Sequence, residues 1–236
     1  MKICTWNSQG NPYTTPKKIE ILNQLYNDND VLLIQECGDI AKDLQLPDAT
    51  IWAEGQAGAF NNRCTTCIIS KKGGQGGTLD VSSSTGRPAI YLNVMGLNIY
   101  TLHATSGNGV PDVMNLFARA EEPFIIGGDM NCSRTAIMDN HGVAGNMTDY
   151  IFSGTRSRYG NLGRLVTSER VTHPGSGSEL DFFIVSLSLK TECTRRHPVT
   201  RSDHYPVCTT IYEYGEETAA RTEQSVRKLL ERGNYE

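Results

Sequence analysis

The chain has 236 residues, 38% of them hydrophobic, and its 22 basic and 26 acidic side chains leave a formal net charge of −4. That balance excludes a protein that coats nucleic acid by bulk charge alone, though not an enzyme that meets phosphate through a bound cation and a few arginines. The length suits one large α/β domain, and no apolar run approaches the roughly 18 residues that would mark a membrane-spanning helix.

In chain order, residues 2–7 (KICTWN) alternate polar and apolar as a strand does. They begin the sequence without a charged start and apolar stretch, so no secretory signal is expected within it; a signal already removed and replaced by Met1 would look the same. The next segment, TTPKKIEILNQLYND, reads as a helix: Thr15 can cap it, Pro16 fits its first turn, and Ile19, Leu22 and Tyr26 repeat on one face. Residues 30–36 (DVLLIQE) form a continuous apolar run ending in a charge, the pattern of a strand buried on both faces. Residues 63–70 (RCTTCIIS) read as a strand and the following KKGGQGG as a flexible glycine turn.

Residues 87–104 predict two strands joined at Gly96, VPDVMNLFARA a short helix, and 123–131 (PFIIGGDMN) a strand with a polar tip. The last strands are expected at 178–186 and 205–214. Residues 1–214 are then one domain, and 215–236 a polar tail, either a surface helix or partly disordered.

Seven cysteines leave at least one thiol without an internal partner. Cys4, Cys37 and Cys208 sit in or beside apolar runs and read as small buried side chains, and Cys132 as packing. The CTTC stretch (64–67) resembles half of a zinc site or a redox pair, but no second CxxC or CxxH follows, so no structural metal is expected there. Cys193 lies in a polar stretch and reads as a plain thiol. His141, His173 and His197 match no motif and read as surface or loop residues. HPGSGSE reads as a mobile loop beside the pocket or a plain linker.

The informative pattern is where the remaining polar residues fall. Asn7, Glu36, His103, Asp129 and Asn131 end strands, Asp181 begins one, and Asp203 and His204 precede the last. Ligand sites in α/β proteins gather at such strand ends. If these meet in one pocket, Asn7, Glu36 and Asp203 are oxygen ligands of the kind Mg²⁺ or Ca²⁺ prefers. Two histidines beside carboxylates suit acid–base work, and the set fits attack by water on phosphorus.

In order along the chain, WNSQG, QE (35–36), LHA (102–104), GDMN (128–131), ELD (179–181) and SDHYPV (202–207) resemble the signature blocks of the endonuclease/exonuclease/phosphatase superfamily. Within it, RCTTCIIS, TGRPAIYL, LHATSGNG and GSGSELDFFIVS are similar to segments of the active component of cytolethal distending toxins. The resemblance implies an α/β (α+β) chain folded as a four-layer α/β/β/α sandwich, deoxyribonuclease I-like, with two packed sheets flanked by helices. It implies a divalent-metal-dependent phosphodiester hydrolase using Mg²⁺ (or Ca²⁺ or Mn²⁺).

By the same resemblance, Glu36 is the main metal ligand, with Asn7 and Asp203 nearby. His103 and His204 are the catalytic histidines, and Asp181 orients His204. Asp129 holds or deprotonates the attacking water, with His103 open as the alternative base. Asn131, Arg63 and Arg87 contact phosphate. Glu54 is the nearest counterpart of the carboxylate that often partners the first histidine. The substrate implied is DNA, with a phosphoinositide or other small phosphoester as the alternative. The likeness further implies a secreted protein that acts in the host nucleus and travels with delivery subunits. On this reading SDHYP bends before its strand, so that Asp203 and His204 both reach the pocket.

Overall fold

The computed structural model describes residues 1–54, 65–81, 87–141, 150–153 and 162–213. In chain order the elements are β1 (Lys2–Asn7), α1 (Pro16–Asp28), β2 (Val31–Gln35), α2 (Ile40–Asp43), β3 (Thr50–Glu54), β4 (Thr66–Ser70) and β5 (Gln75–Leu79). Then come β6 (Ala89–Val94), β7 (Leu97–His103), α3 (Gly109–Arg119), β8 (Phe124–Asp129) and α4 (Arg134–His141). The series ends with β9 (Tyr150–Ser153), β10 (Leu162–Val166), β11 (Asp181–Ser186), β12 (Leu189–Arg196) and β13 (Val207–Glu213).

The strands form a six-stranded sheet, β12-β13-β1-β2-β4-β3, and a seven-stranded sheet, β5-β6-β7-β8-β11-β10-β9. Side-chain alternation assigns the layers. On β1 and β2, Ile3, Val31 and Leu33 face inward to meet Ile99, Ile125, Phe183 and Val185 of the other sheet. Their neighbours Cys4, Trp6, Leu32 and Ile34 face outward onto Leu22 and Leu25 of α1 and Ile40 of α2. On the far side, Ile126, Phe182 and Ile184 pack against Val113, Leu116 and Phe117 of α3 and Ile137 of α4. The result is a four-layer α/β/β/α sandwich, and it explains why the central strands read as unbroken apolar runs: both their faces are covered.

Local signals account for most elements. The Thr15 side chain caps α1 by accepting the Lys18 N–H, with Pro16 in the first turn. Ile21, Leu22, Leu25 and Tyr26 form the buried stripe, while Ile19, expected on it, is only half-buried. The β6–β7 hairpin turns through Met95 (φ 53°) and Gly96 (φ 86°), both in the left-handed region a tight hairpin demands.

The glycine run 71–77 is not simply a turn, because its second half is strand β5. There a Cβ on Gly76 would stand 2.3 Å from the Tyr91 carbonyl oxygen, so the absence of a side chain lets β5 approach β6. Cys4 and Cys208 are not merely buried thiols. They stand opposite each other in the antiparallel register of β1 and β13 and form a disulfide. Cys67 is buried in the layer beneath α1, and burial, with Cys37 beside it, pushes its thiol pKa well up. Cys64 and the tail 215–236 lie outside the described residues.

Candidate active site

Strand register does most of the placing. In the seven-stranded sheet, His103 at the end of β7 is paired with Asp129 at the end of β8, and Asp129 with Asp181 at the start of β11. Three ionisable groups thus stand side by side on adjacent strands. In the other sheet, Asn7 ends β1 opposite Gln35, and Glu36 follows directly. The two sheets meet here: the Asn7 amide donates to Glu36 Oε1 (3.2 Å) and to Asp129 Oδ2 (2.9 Å).

His204 arrives from the irregular stretch before β13. Its backbone N–H donates to Ser202 Oγ (2.9 Å), and that hydroxyl reaches the Asn7 carbonyl (2.7 Å). The bend turns the imidazole inward, 5% exposed, while Asp203 stays exposed. The two neighbours therefore part, His204 into the buried cluster and Asp203 to the surface beside it. His204 Nδ1 donates to Asp181 Oδ2 at 2.8 Å, which leaves Nε2 toward Asp129 Oδ2 at 3.6 Å. His103 Nε2 lies 3.6 Å from the same Asp129 oxygen and 3.8 Å from Glu36 Oε1.

Asp129 is the hub and is 1% exposed. Burial raises its pKa, the charge of Asp181 raises it further, and His103, His204 and the Asn7 amide oppose that rise. For His204, burial alone would lower the pKa. The hydrogen bond and charge of Asp181, with the charges of Asp129 and Asp203, outweigh burial and raise it to about 9.

Gln9 (φ 50°), Glu36 (φ 52°) and Asn131 (φ 45°) all adopt left-handed backbone. Such conformations cost non-glycine residues on the order of 1–3 kcal/mol and collect where geometry is held for a purpose. In Asn131 the bend brings its backbone N–H to Asp129 Oδ1 (3.0 Å) and its side-chain amide to the Ala104 carbonyl (2.8 Å). Arg87 Nη1 reaches that same carbonyl at 3.4 Å, so the guanidinium lies beside Asn131.

Of the residues named from sequence, Asn7, Glu36, His103, Asp129, Asn131, Asp181 and His204 come together, with Arg87 at the margin. Arg63 lies outside the described residues, and of Glu54 only the backbone belongs to them. Asn7, expected as an oxygen ligand, faces the carboxylates with its amide nitrogen, because its Oδ1 accepts the Gln9 N–H (3.0 Å). Asp203 is held by Gln9 Nε2 at 2.8 Å rather than by the buried cluster.

The donor chemistry nonetheless fits a hard divalent cation. The Glu36 side chain keeps 14% exposure, and Asp203 adds a second accessible carboxylate, so waters could complete the shell. Asn7 would join only after its amide turned over. Elsewhere in the site, Asp129, Asp181 and His204 offer donor atoms within 4.8 Å of one another.

Sequence reading missed three participants. Gln9 grips Asp203. Ser202 ties the Asn7 strand to His204. His173, taken for a surface or loop residue, lays its ring against His204 with centroids 4.6 Å apart. Only the WNSQG and SDHYP blocks hinted at the first two, and no periodicity marked the third.

Compared with known families, residues 4–204 match the endonuclease/exonuclease/phosphatase family. The chain belongs to that family. Among solved structures, this family member is similar to the cytolethal distending toxin of Haemophilus ducreyi, with a TM-score of 0.62 and 19% identity over 89% of this chain and 97% of that one. The toxin of Actinobacillus actinomycetemcomitans gives a TM-score of 0.61 at 17% identity over 89% and 97% of the two chains. A 3′-5′ exonuclease of Neisseria meningitidis gives 0.58 at 17% over 91% and 100%. At such identities the likeness speaks for the fold. No curated protein matches the chain significantly.

Proposed function

We propose that this chain is a divalent-metal-dependent phosphodiesterase, a toxin-like endonuclease that nicks DNA. On this reading it is secreted, travels with delivery subunits and acts in the host cell nucleus. The observation that carries the chemistry is the Asp181–His204 pair at 2.8 Å, aimed at Asp129 with His103 beyond it and Glu36 beside them.

The roles follow from the environments. With a pKa near 9, His204 carries its proton at neutral pH and can donate it to a phosphoryl or leaving oxygen. Asp181 holds the ring and its tautomer. Asp129, fixed by Asn7 and the Asn131 N–H, orients the attacking water. Its raised pKa makes it a stronger base than a solvated aspartate. His103, facing both Asp129 and Glu36, is the other candidate base. Asn131 and Arg87 offer N–H groups to phosphate, as Arg63 would by the family resemblance.

Glu36 and Asp203 would hold Mg²⁺, Ca²⁺ or Mn²⁺, which when bound neutralises charge on a non-bridging oxygen. Acid–base help supplies about 10²–10⁴ in rate, so charge stabilisation must supply most of the rest. DNA would be gripped through phosphate with little base reading, and salt would weaken binding accordingly.

A second reading is a phosphatase acting on phosphoinositides or another small phosphoester. One structural neighbour is described as a Neisseria 3′ phosphatase bound to a product DNA hairpin, at a TM-score of 0.57, so the fold accommodates both reactions. Supercoiled plasmid incubated with Mg²⁺ and with chelator decides between them, run beside phosphate release from inositol lipids. Metal-dependent nicking is expected. Phosphate release without nicking would transfer the assignment to the second reading.

A further inference from the structure

We propose that His173, Asp203 and His204 form an alternative cation site, without the Glu36 carboxylate but sharing Asp203 with the pair that would hold Mg²⁺, and suited to a borderline transition ion such as Zn²⁺ or Co²⁺. One donor atom from each lies within 4.8 Å of the other two. Two imidazoles and one carboxylate are the donors such ions take, whereas Mg²⁺ prefers an all-oxygen shell.

The backbone frame around the three residues is tied down by hydrogen bonds. Thr172 is fully buried, and its hydroxyl accepts the N–H groups of both Leu180 (2.9 Å) and Asp181 (3.1 Å). Its carbonyl takes the N–H of Tyr205 at 2.8 Å, so the 172–173 and 204–205 backbones run side by side. The His173 N–H bonds to the Ser178 carbonyl (3.0 Å), closing the intervening loop. Gly175 packs over the imidazole, where an added Cβ would stand 3.1 Å from His173 Cε1.

Each imidazole also has an oxygen partner on Nδ1. His204 Nδ1 meets Asp181 at 2.8 Å, and His173 Nδ1 meets Ser176 Oγ at 2.8 Å. His204 Nε2 faces Asp129 Oδ2 at 3.6 Å, and His173 Nε2 becomes a ligand only when Nδ1 carries the ring proton. An oxygen on the second ring nitrogen is the outer support that metal-bound histidines ordinarily have. The Ser176 N–H also reaches His173 Nδ1 (3.1 Å), so binding requires the hydroxyl to become the acceptor there. Asp203, exposed and held by Gln9, needs only to exchange that neutral amide for the cation.

Binding at this site does not depend on the proposed function. Its consequence does: an ion held there occupies His204 and would block hydrolysis.

The test is direct binding to the full chain stripped of metal by chelator. Zn²⁺ is titrated calorimetrically and Co²⁺ by its visible absorption, both without added Mg²⁺, which would compete for Asp203. One Zn²⁺ per chain is expected, with the intense absorption of low-coordinate Co²⁺. Ser176→Ala should weaken binding by roughly 10-fold, the scale of an outer-support loss, and His173→Ala by more. Asp203→Asn, at an exposed position, gives an independent variant should His173→Ala fail to fold. Cys193→Ser and Glu36→Gln should bind Zn²⁺ as the parent does. Unchanged binding in both His173→Ala and Asp203→Asn, or loss confined to Glu36→Gln or Cys193→Ser, would overturn the assignment.

Discussion

Ile125 and Asp129 belong to the same strand, β8, and both are shut away from solvent. Ile125 lies between the sheets among Leu33, Phe183 and Val185, where any well-fitting apolar neighbour serves. Asp129 lies at the strand's end, where the Asn7 amide, the Asn131 N–H and two histidines each answer a particular oxygen. The core gains from burial, roughly in proportion to the apolar area removed from water. The site suffers from burial and survives on named partners. The core should therefore lose stability by degrees when cut, whereas the site should lose activity outright with little loss of fold.

The sharpest break of that contrast comes from His204→Ala. Plasmid nicking should fall by about 10²–10⁴, the worth of acid–base help, with circular dichroism unchanged. Asp129→Asn should cost activity similarly yet leave the melting temperature the same or higher, because it removes a buried charge that Asp181 opposes. A large drop in melting temperature for that variant would erase the distinction. Next, Phe183→Ala in the inter-sheet core should cost about 3–5 kcal/mol in urea denaturation, while the folded fraction keeps its turnover. Reducing the Cys4–Cys208 bond, or replacing Cys4 by Ser, should cost about 2–4 kcal/mol, measured by the same method.

pH probes the Asp181–His204 partnership more gently. Because the folded pKa of His204, about 9, exceeds the ordinary 6.5, its protonation stabilises the fold fully below pH 6.5. That contribution is lost as pH rises from there through about 9. Proton NMR of the imidazole should show the high value in the parent chain and a fall toward the ordinary one in Asp181→Asn. The smallest effect is at the hairpin tip. Met95→Asn, at a position 83% exposed with φ 53°, should raise stability by less than about 1 kcal/mol, since Asn suits that turn better.

What could be read from the sequence follows the same division. The alternation along β1 and the unbroken run of β2 disclosed two neighbouring strands of the six-stranded sheet, and Thr15 with Pro16 disclosed the start of α1. Strand β5 escaped notice because its glycines carry no periodicity. β12 (LKTECTRR) is an edge strand, polar and interrupted by an irregularity between Glu192 and Arg195. The disulfide needed the register of β1 against β13, which local pattern does not encode. In the site, strand ends flagged Asp129 and His103, and motif likeness supplied the rest. His173 had no such marker: only the folding of the 172–178 loop against Tyr205 brings it to His204.

The Cys4–Cys208 bond joins the first strand to the last across 204 positions of sequence. Covalently, everything between them is a closed ring. A protease that cuts one exposed loop inside that ring opens it without releasing a fragment, so the cut molecule stays in one piece until a reductant is added. On a non-reducing gel a single such cut would leave the mass unchanged, and damage that would divide an open chain would pass unseen.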